Sequence, residues 1–279
     1  MPSPGRSLLG YLDDKSALVY LNNVCVGEPV GAATLDLRLR DCRERLGACP
    51  VTAGRPTIEL LPSRFLPPIL ARLHEIKARA GIWQGTVRSA LVEIGPLLAF
   101  QISVSTPVVN RYLAILGRSF ALEDLVDLCL PTSPASAQVN AVITRGDRCL
   151  TMRSEGPDLR VAESGVFENG RVLGIELGTS TGLVEVADVG GVYVLTNGYH
   201  RACALQAAGV TTMPCVVWEC GSFEEAGFRL NGTTLPLGDE GRRPTVGQYV
   251  EDYSAQVILR RVRREITMWW RERMVIDDD

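Results

Sequence analysis

The stretch from Gly190 to Trp218 constrains the fold of this chain more than any other. It reads Gly-Gly-Val-Tyr-Val-Leu-Thr-Asn-Gly-Tyr-His-Arg-Ala-Cys-Ala-Leu-Gln-Ala-Ala-Gly-Val-Thr-Thr-Met-Pro-Cys-Val-Val-Trp. A run of β-branched and aromatic residues stops at Asn197 and Gly198. An alanine-rich run from about His200 to Ala208 stops at Gly209, and a second apolar run follows Pro214. The pattern predicts a buried strand, a tight turn, a short helix and another buried strand. Arg201 then falls in the first helical turn, where the macrodipole is positive and a cation is disfavoured by roughly 0.3–1 kcal/mol. Something anionic should compensate it. A bound phosphate fits, because a helix N-terminus offers free N–H groups, Gly198 admits close backbone approach and arginine grips two oxygens at once. An internal carboxylate, Asp188 or Glu219, fits equally well.

Elsewhere, short apolar runs bounded by glycine, proline and polar clusters alternate with helical patterns, which predicts an α+β, mixed α/β chain. Strands are expected at Ala17 to Leu21, Thr57 to Leu61 and Ala90 to Ile94. Thr34 to Leu46 reads as a helix or an alternating strand, and its first half fits alternation better. Helices are expected from Pro67 to Ala80, where Ile69, Leu70, Leu73 and Ile76 form a stripe, from Pro107 to Leu116 and from Phe120 to Leu130. His74 lies beside that stripe and reads as a packing or surface histidine. From Val139 to Val194 nearly everything is strand and turn, with spacing that implies antiparallel hairpins. Gly178 to Gly182, Gly-Thr-Ser-Thr-Gly, lacks the lysine and following helix of a phosphate loop and reads as a hairpin turn.

With 279 residues, 46% hydrophobic and 22% charged, the chain is long enough for one large domain or two small ones. A net charge of −3 argues against a surface built mainly to hold DNA. None of the eight cysteines has the two-residue gap of zinc ribbons, so no metal site is expected. Without a signal-like N-terminus or a membrane-length apolar run, the expectation is a cytoplasmic protein whose thiols are reduced, small buried hydrophobes.

The segment running from strand through Asn197-Gly198-Tyr199-His200-Arg201 and the alanine-rich helix to Pro-Cys-Val-Val resembles the signature of the ParB/sulfiredoxin superfamily, whose members carry Gly-x-His-Arg or Gly-Glu-Arg-Arg at this turn. The likeness covers about thirty residues closely, with Val92 to Gln101 similar in character to the family's opening strand. It implies a small domain, here 89–230 with a β-rich insertion at about 139–187, preceded by an α/β segment, 1–88, that packs on it. It also implies that Asn197, Gly198, Tyr199, His200 and Arg201 bind the phosphates of ATP, ADP or CTP with magnesium.

Where sulfiredoxins hold their nucleophilic cysteine, this chain holds Tyr199, so sulfiredoxin chemistry is rejected; Cys203, one turn on, reads as packing. Serine-kinase relatives carry an acid where Gln101 and Asn197 stand, which leaves Glu93, Asp188 or His200 to move a proton. Too little chain follows Trp218 for the DNA-binding and dimerisation regions of a ParB clamp.

Val246 to Met274 reads as one long amphipathic helix, placed at 245–275, with Val250, Val257, Ile258, Val262, Ile266, Trp269 and Trp270 on one face and Arg260, Arg261, Arg263 and Arg264 on the other. Three functions follow as expectations. The first is nucleotide binding with phosphoryl transfer or hydrolysis, His200 and Arg201 acting at the phosphate and an acceptor unspecified. The second is a nucleic-acid-binding or ParB-like nuclease protein using the C-terminal arginines. The third is a catalytically inactive interaction module, with self-association through the tryptophan face open to each.

Overall fold

The computed structural model describes residues 2–27, 29–50, 54–80, 83, 85–117, 120–132, 141–145, 149–154, 160–167, 172–178, 182–228, 235, 243–250, 252–260 and 264–269. They divide into two compact units, one of residues 1–135 and 182–260, the other of 136–181 and 261–279. The class is α+β.

The larger unit begins with β1 (Ser3–Ser7), α1 (Asp14–Val24) and α2 (Ala32–Gly47). Both helices correct the sequence reading. Residues 17–21, expected as a strand, lie inside α1 because Asp13 caps it: Oδ1 accepts the Ser16 N–H at 2.7 Å and Oδ2 accepts the Ser16 hydroxyl at 2.9 Å. Ala17, Tyr20 and Leu21 then recur at helical spacing on the buried side. In α2 the buried residues are Leu35, Leu39 and Cys42, while Leu37 is 66% exposed. The alternating leucines of the first half therefore mislead. The i,i+4 pairs Arg40–Asp36 and Arg45–Asp41 line the wet face.

Next come β2 (Ile58–Leu60), α3 (Leu66–Ala80), β3 (Val87–Glu93), β4 (Leu98–Ala99), β5 (Ser103–Ser105), α4 (Thr106–Leu116) and α5 (Leu122–Cys129); all but the short β4 and β5, for which no strand was expected, lie close to the expected bounds. After the β-rich segment the chain returns with β10 (Glu185–Val189), β11 (Val192–Asn197), α6 (Tyr199–Ala207) and β12 (Thr212–Cys220). The six-stranded sheet has the order β2-β3-β12-β10-β11-β4. Antiparallel β10 and β11 form a hairpin, while β12 runs parallel to β10 and antiparallel to β3. Pro214 sits within β12 opposite Leu91, but pairing with β10 starts only at Val216, so the proline's missing N–H faces no ladder on that side.

Both faces of this sheet are covered. Leu98, Phe100, Ala187 and Val194 pack with Ala226 and Phe228 in a small cluster, whereas the main core gathers Val92, Val186, Leu195 and Cys215 with Ala202 and Leu205 of α6.

The C-terminal region overturns its expectation. The expected helix over 246–274 is replaced by a single 3-10 turn, Val246–Tyr249, then strands β13 (Ala255–Leu259) and β14 (Arg264–Trp269). In β13, Ala255 and Val257 are buried and Ile258 is 42% exposed, the alternation of a strand, and its five residues pair antiparallel with β1. β-branched Val257, Ile258, Ile266 and Thr267 favour that outcome. The sheet β13-β1-β5 thus joins the end of the unit to its beginning. Arg260 does not lie on a basic helix face. Its Nε and Nη2 donate to the Cys25 and Asn22 carbonyls at 2.9 and 3.1 Å, at the C-terminal end of α1. Arg261, Arg263 and Trp270 lie outside the described residues, Arg264 opens β14 opposite Ser154, and Trp269 is 77% exposed.

The smaller unit holds β6 (Ala141–Arg145) and β7 (Cys149–Ser154), which form an antiparallel sheet with β14, and a separate hairpin of β8 (Arg160–Phe167) and β9 (Val172–Gly178). The β-rich insertion therefore stops before β10, which belongs to the larger sheet. The turn expected at Gly178 to Gly182 falls on residues 179–181, which lie outside the described residues; the strands on either side of it, β9 and β10, pair in different sheets.

All eight cysteines are free. Burial pushes the thiols of Cys129 and Cys203 up to about 12 and raises those of Cys25, Cys42 and Cys215. Because the native state holds protons that an unfolded thiol, with its ordinary value of 9.0, releases, this stability is complete at neutral pH. It is lost as pH rises through the alkaline range, at about 1.4 kcal/mol per pH unit for each fully shifted thiol. The urea midpoint should therefore fall steeply from about pH 9 upward, and a midpoint flat to about pH 11 would contradict this burial.

Candidate functional site

The turn between β11 and α6 is built around Gly198, the residue preceding the helix, at φ 102°. A Cβ there would stand 2.8 Å from Val184 Cγ2, so both conformation and space require glycine. The side chain of Asn197 turns back onto the main chain, its amide donating to the Leu183 carbonyl at 2.9 Å.

Tyr199 is buried at the first helical position. Its hydroxyl accepts the Phe100 N–H at 2.7 Å and donates to the Leu195 carbonyl, tying β4's continuation to β11. Tyr249 packs edge-on against it, ring centroids 6.2 Å apart, and donates its own hydroxyl to the Gln101 carbonyl. Burial raises both phenols, so both stay protonated in the working range.

Arg201 is 7% exposed, and its guanidinium is spent on main-chain carbonyls. Nη1 donates to Leu128 and Cys129 at 3.2 and 3.4 Å and to Gly182; Nη2 donates to Leu183 at 3.0 Å. Leu128 and Cys129 are the last residues of α5. The compensating negative charge is therefore neither phosphate nor carboxylate but the C-terminal pole of α5, whose final carbonyls lack helical partners. Arg201 stitches α5 to the segment leading into β10.

His200 differs. It is partly exposed, and its Nε2 accepts the Ser105 N–H at 3.0 Å, so that nitrogen is unprotonated. Ser105 precedes α4, and no side chain caps the N-terminus of either α4 or α6; neither has an acid in its first turn. One imidazole thus bridges the starts of α4 and α6. The Ser-Thr-Pro run at 105–107 is a helix-start signature, but nothing in the sequence shows that it meets the Asn197–Arg201 turn.

The acids expected to act lie away from these two helix starts. Glu93 accepts the Thr57 N–H at 3.1 Å and pairs in register with Thr212, beyond the C-terminal end of α6, a helix about 13 Å long. Asp188 sits three residues along β10 from Glu185, which pairs with Asn197, hence about 10 Å off. It accepts the Gly191 N–H at 2.8 Å and faces Arg88. Gln101 is nearer, though its amide is turned onto the Ser103 carbonyl. Among the described residues, the turn and acids expected to act together do not assemble into one catalytic set, and no group of three or more His, Cys, Asp or Glu could hold a metal. No helix among them is long and apolar enough to cross a membrane.

No protein-family model, curated protein or solved structure matches the chain.

Proposed function

We propose that the chain is a binding protein for a phosphorylated small molecule, a nucleotide by its resemblance to the ParB/sulfiredoxin superfamily, which it holds between the N-termini of α4 and α6. The observation carrying this reading is the convergence of two uncapped, acid-free helix starts bridged by His200. First-turn N–H groups, those of Thr106 and Val108 in α4, where Pro107 has none, and those of Tyr199, His200 and Arg201 in α6, together with two positive dipole ends, make such a place favourable for phosphate. The Thr106 hydroxyl supplies a further donor, while that of Ser105 shares a hydrogen bond with the Ser3 hydroxyl at 3.5 Å, and His200 releases the Ser105 N–H or contacts phosphate when a ligand enters. Magnesium would arrive with the nucleotide.

Binding rather than turnover is the reading, because Arg201 is committed to carbonyls and Glu93 and Asp188 stand apart from the two helix starts. Nucleic-acid binding has less support, since the helix meant to present the arginines is not formed.

The test is a thermal-shift panel of ATP, ADP and CTP with magnesium on the full chain, alongside Thr106→Asp. A carboxylate in the first turn of α4 opposes an incoming phosphate while favouring the helix by about 0.3–1 kcal/mol. Arg201→Ala is not a suitable probe, because it removes a structural tie.

A further inference from the structure

A concavity that no residue of α4 or α6 lines encloses about 330 Å³ between Arg55, Pro56, Ile58, Leu60, Arg88 and Tyr193. That volume is at the lower end for small-molecule sites. Its walls divide into an apolar part, Pro56, Ile58 and Leu60, and a cationic part, Arg55 and Arg88. Leu60 is 79% exposed on β2, while Tyr193, only 4% exposed, presents a ring from β11.

The arginines are not consumed as Arg201 is. Among the described residues no hydrogen bond engages Arg55, which is exposed. Arg88 meets Asp188 only at 3.6 Å, Nη2 to Oδ2, an ion pair longer than a hydrogen bond, and the other Asp188 oxygen is held by the Gly191 N–H. The guanidinium of Arg88, its side chain 37% exposed, keeps donors for a better-placed acceptor. With Asp188 offsetting one of the two cations, the local balance is one positive charge, which suits a monoanion better than a phosphate dianion. Arginine's planar fork suits a carboxylate in particular.

We infer that this cavity binds a small organic monocarboxylate with an apolar, ring-sized body, its carboxylate on Arg55 and Arg88 and its body against Ile58, Leu60 and Tyr193. The site is independent of the phosphate site at the α4 and α6 N-termini.

Isothermal titration of the full-length protein with phenylacetate, its neutral isostere phenylacetamide, and acetate tests this. Phenylacetate should bind, with the amide and acetate each at least about tenfold weaker. Arg55→Gln, a change at an exposed position, and Arg88→Gln should each weaken phenylacetate by a similar factor, and Leu60→Ala should weaken it without removing the charge preference. Thr106→Asp should leave it unchanged. Equal binding of acid and amide, no heat at millimolar phenylacetate, or wild-type affinity in both Arg55→Gln and Arg88→Gln would overturn the inference. So would loss of phenylacetate binding in Thr106→Asp, which would place the anion at the α4 and α6 N-termini instead.

Discussion

Replacing Arg201 with alanine is expected to destabilise the protein by about 3–5 kcal/mol, through two orphaned acceptors and the void left by a large side chain. The size follows from what is left behind. The Leu183 carbonyl keeps the Asn197 amide and the Cys129 carbonyl keeps the Val184 N–H, but the Leu128 and Gly182 carbonyls lose the donor they share. Each orphaned acceptor costs about 1–3 kcal/mol, and the void beside α6 adds to it. Arg201→Lys should recover only part, since one ammonium cannot span four carbonyls as a planar guanidinium does. Urea melts monitored by circular dichroism provide the check. A loss under about 1 kcal/mol would mean that Arg201 is not the tie described and is free to serve a ligand.

Gly198→Ala is the other large effect, at about 2–4 kcal/mol. Part arises from holding a side chain at φ 102°, about 1–2 kcal/mol. The remainder comes from the Cβ overlapping Val184, 2.8 Å from Cγ2 and 3.3 Å from the backbone Cα. Gly209→Ala separates the two contributions. It shares a positive φ, 80°, but its Cβ would meet nothing within 4 Å. The Gly209 variant should therefore lose only the conformational part, and equal losses at the two positions would remove Val184 from the explanation.

These two residues show how the site was legible and where it was not. The strand-turn-helix-strand order of 190–218 could be read because local signals agree there: β-branched strands, Asn197-Gly198 at the turn, alanines in α6 and Gly209 after it. That Arg201 needed negative charge nearby also followed from its position in the first turn. Its source did not, because the α5 carbonyls are supplied by residues more than seventy positions earlier, as peptide groups without a side-chain signal. The role of Tyr199 was hidden for a similar reason: its phenol is fixed by Phe100 and Leu195 main-chain groups that no pattern marks.

Periodicity misled in three places where it was ambiguous. Leu35, Leu37 and Leu39 alternate as a strand would, yet Asp36–Arg40 and Asp41–Arg45 spacing is helical, and the helix wins. Ala17 to Leu21 looks like a strand until Asp13 is recognised as a cap. At the C-terminus the arginines and apolar residues fit a helical wheel, but pairing of Ala255–Leu259 with Ser3–Ser7 depends on a partner strand at the far end of the chain. Tertiary context overrides local preference there.

The central proposal is that the α4 and α6 N-termini hold phosphate, and the most direct measurement is the nucleotide-dependent melting shift of the wild-type chain against Thr106→Asp. At a ligand concentration a hundredfold above Kd the gain is about 2.7 kcal/mol, and each kcal/mol moves the midpoint by about 2–4 °C in a chain of this size. The account predicts a shift for the wild type with at least one of ATP, ADP or CTP, no shift for Thr106→Asp, and an unliganded Thr106→Asp midpoint at or above that of the wild type. Absence of a shift with every nucleotide, or a shift that survives in Thr106→Asp, would contradict it.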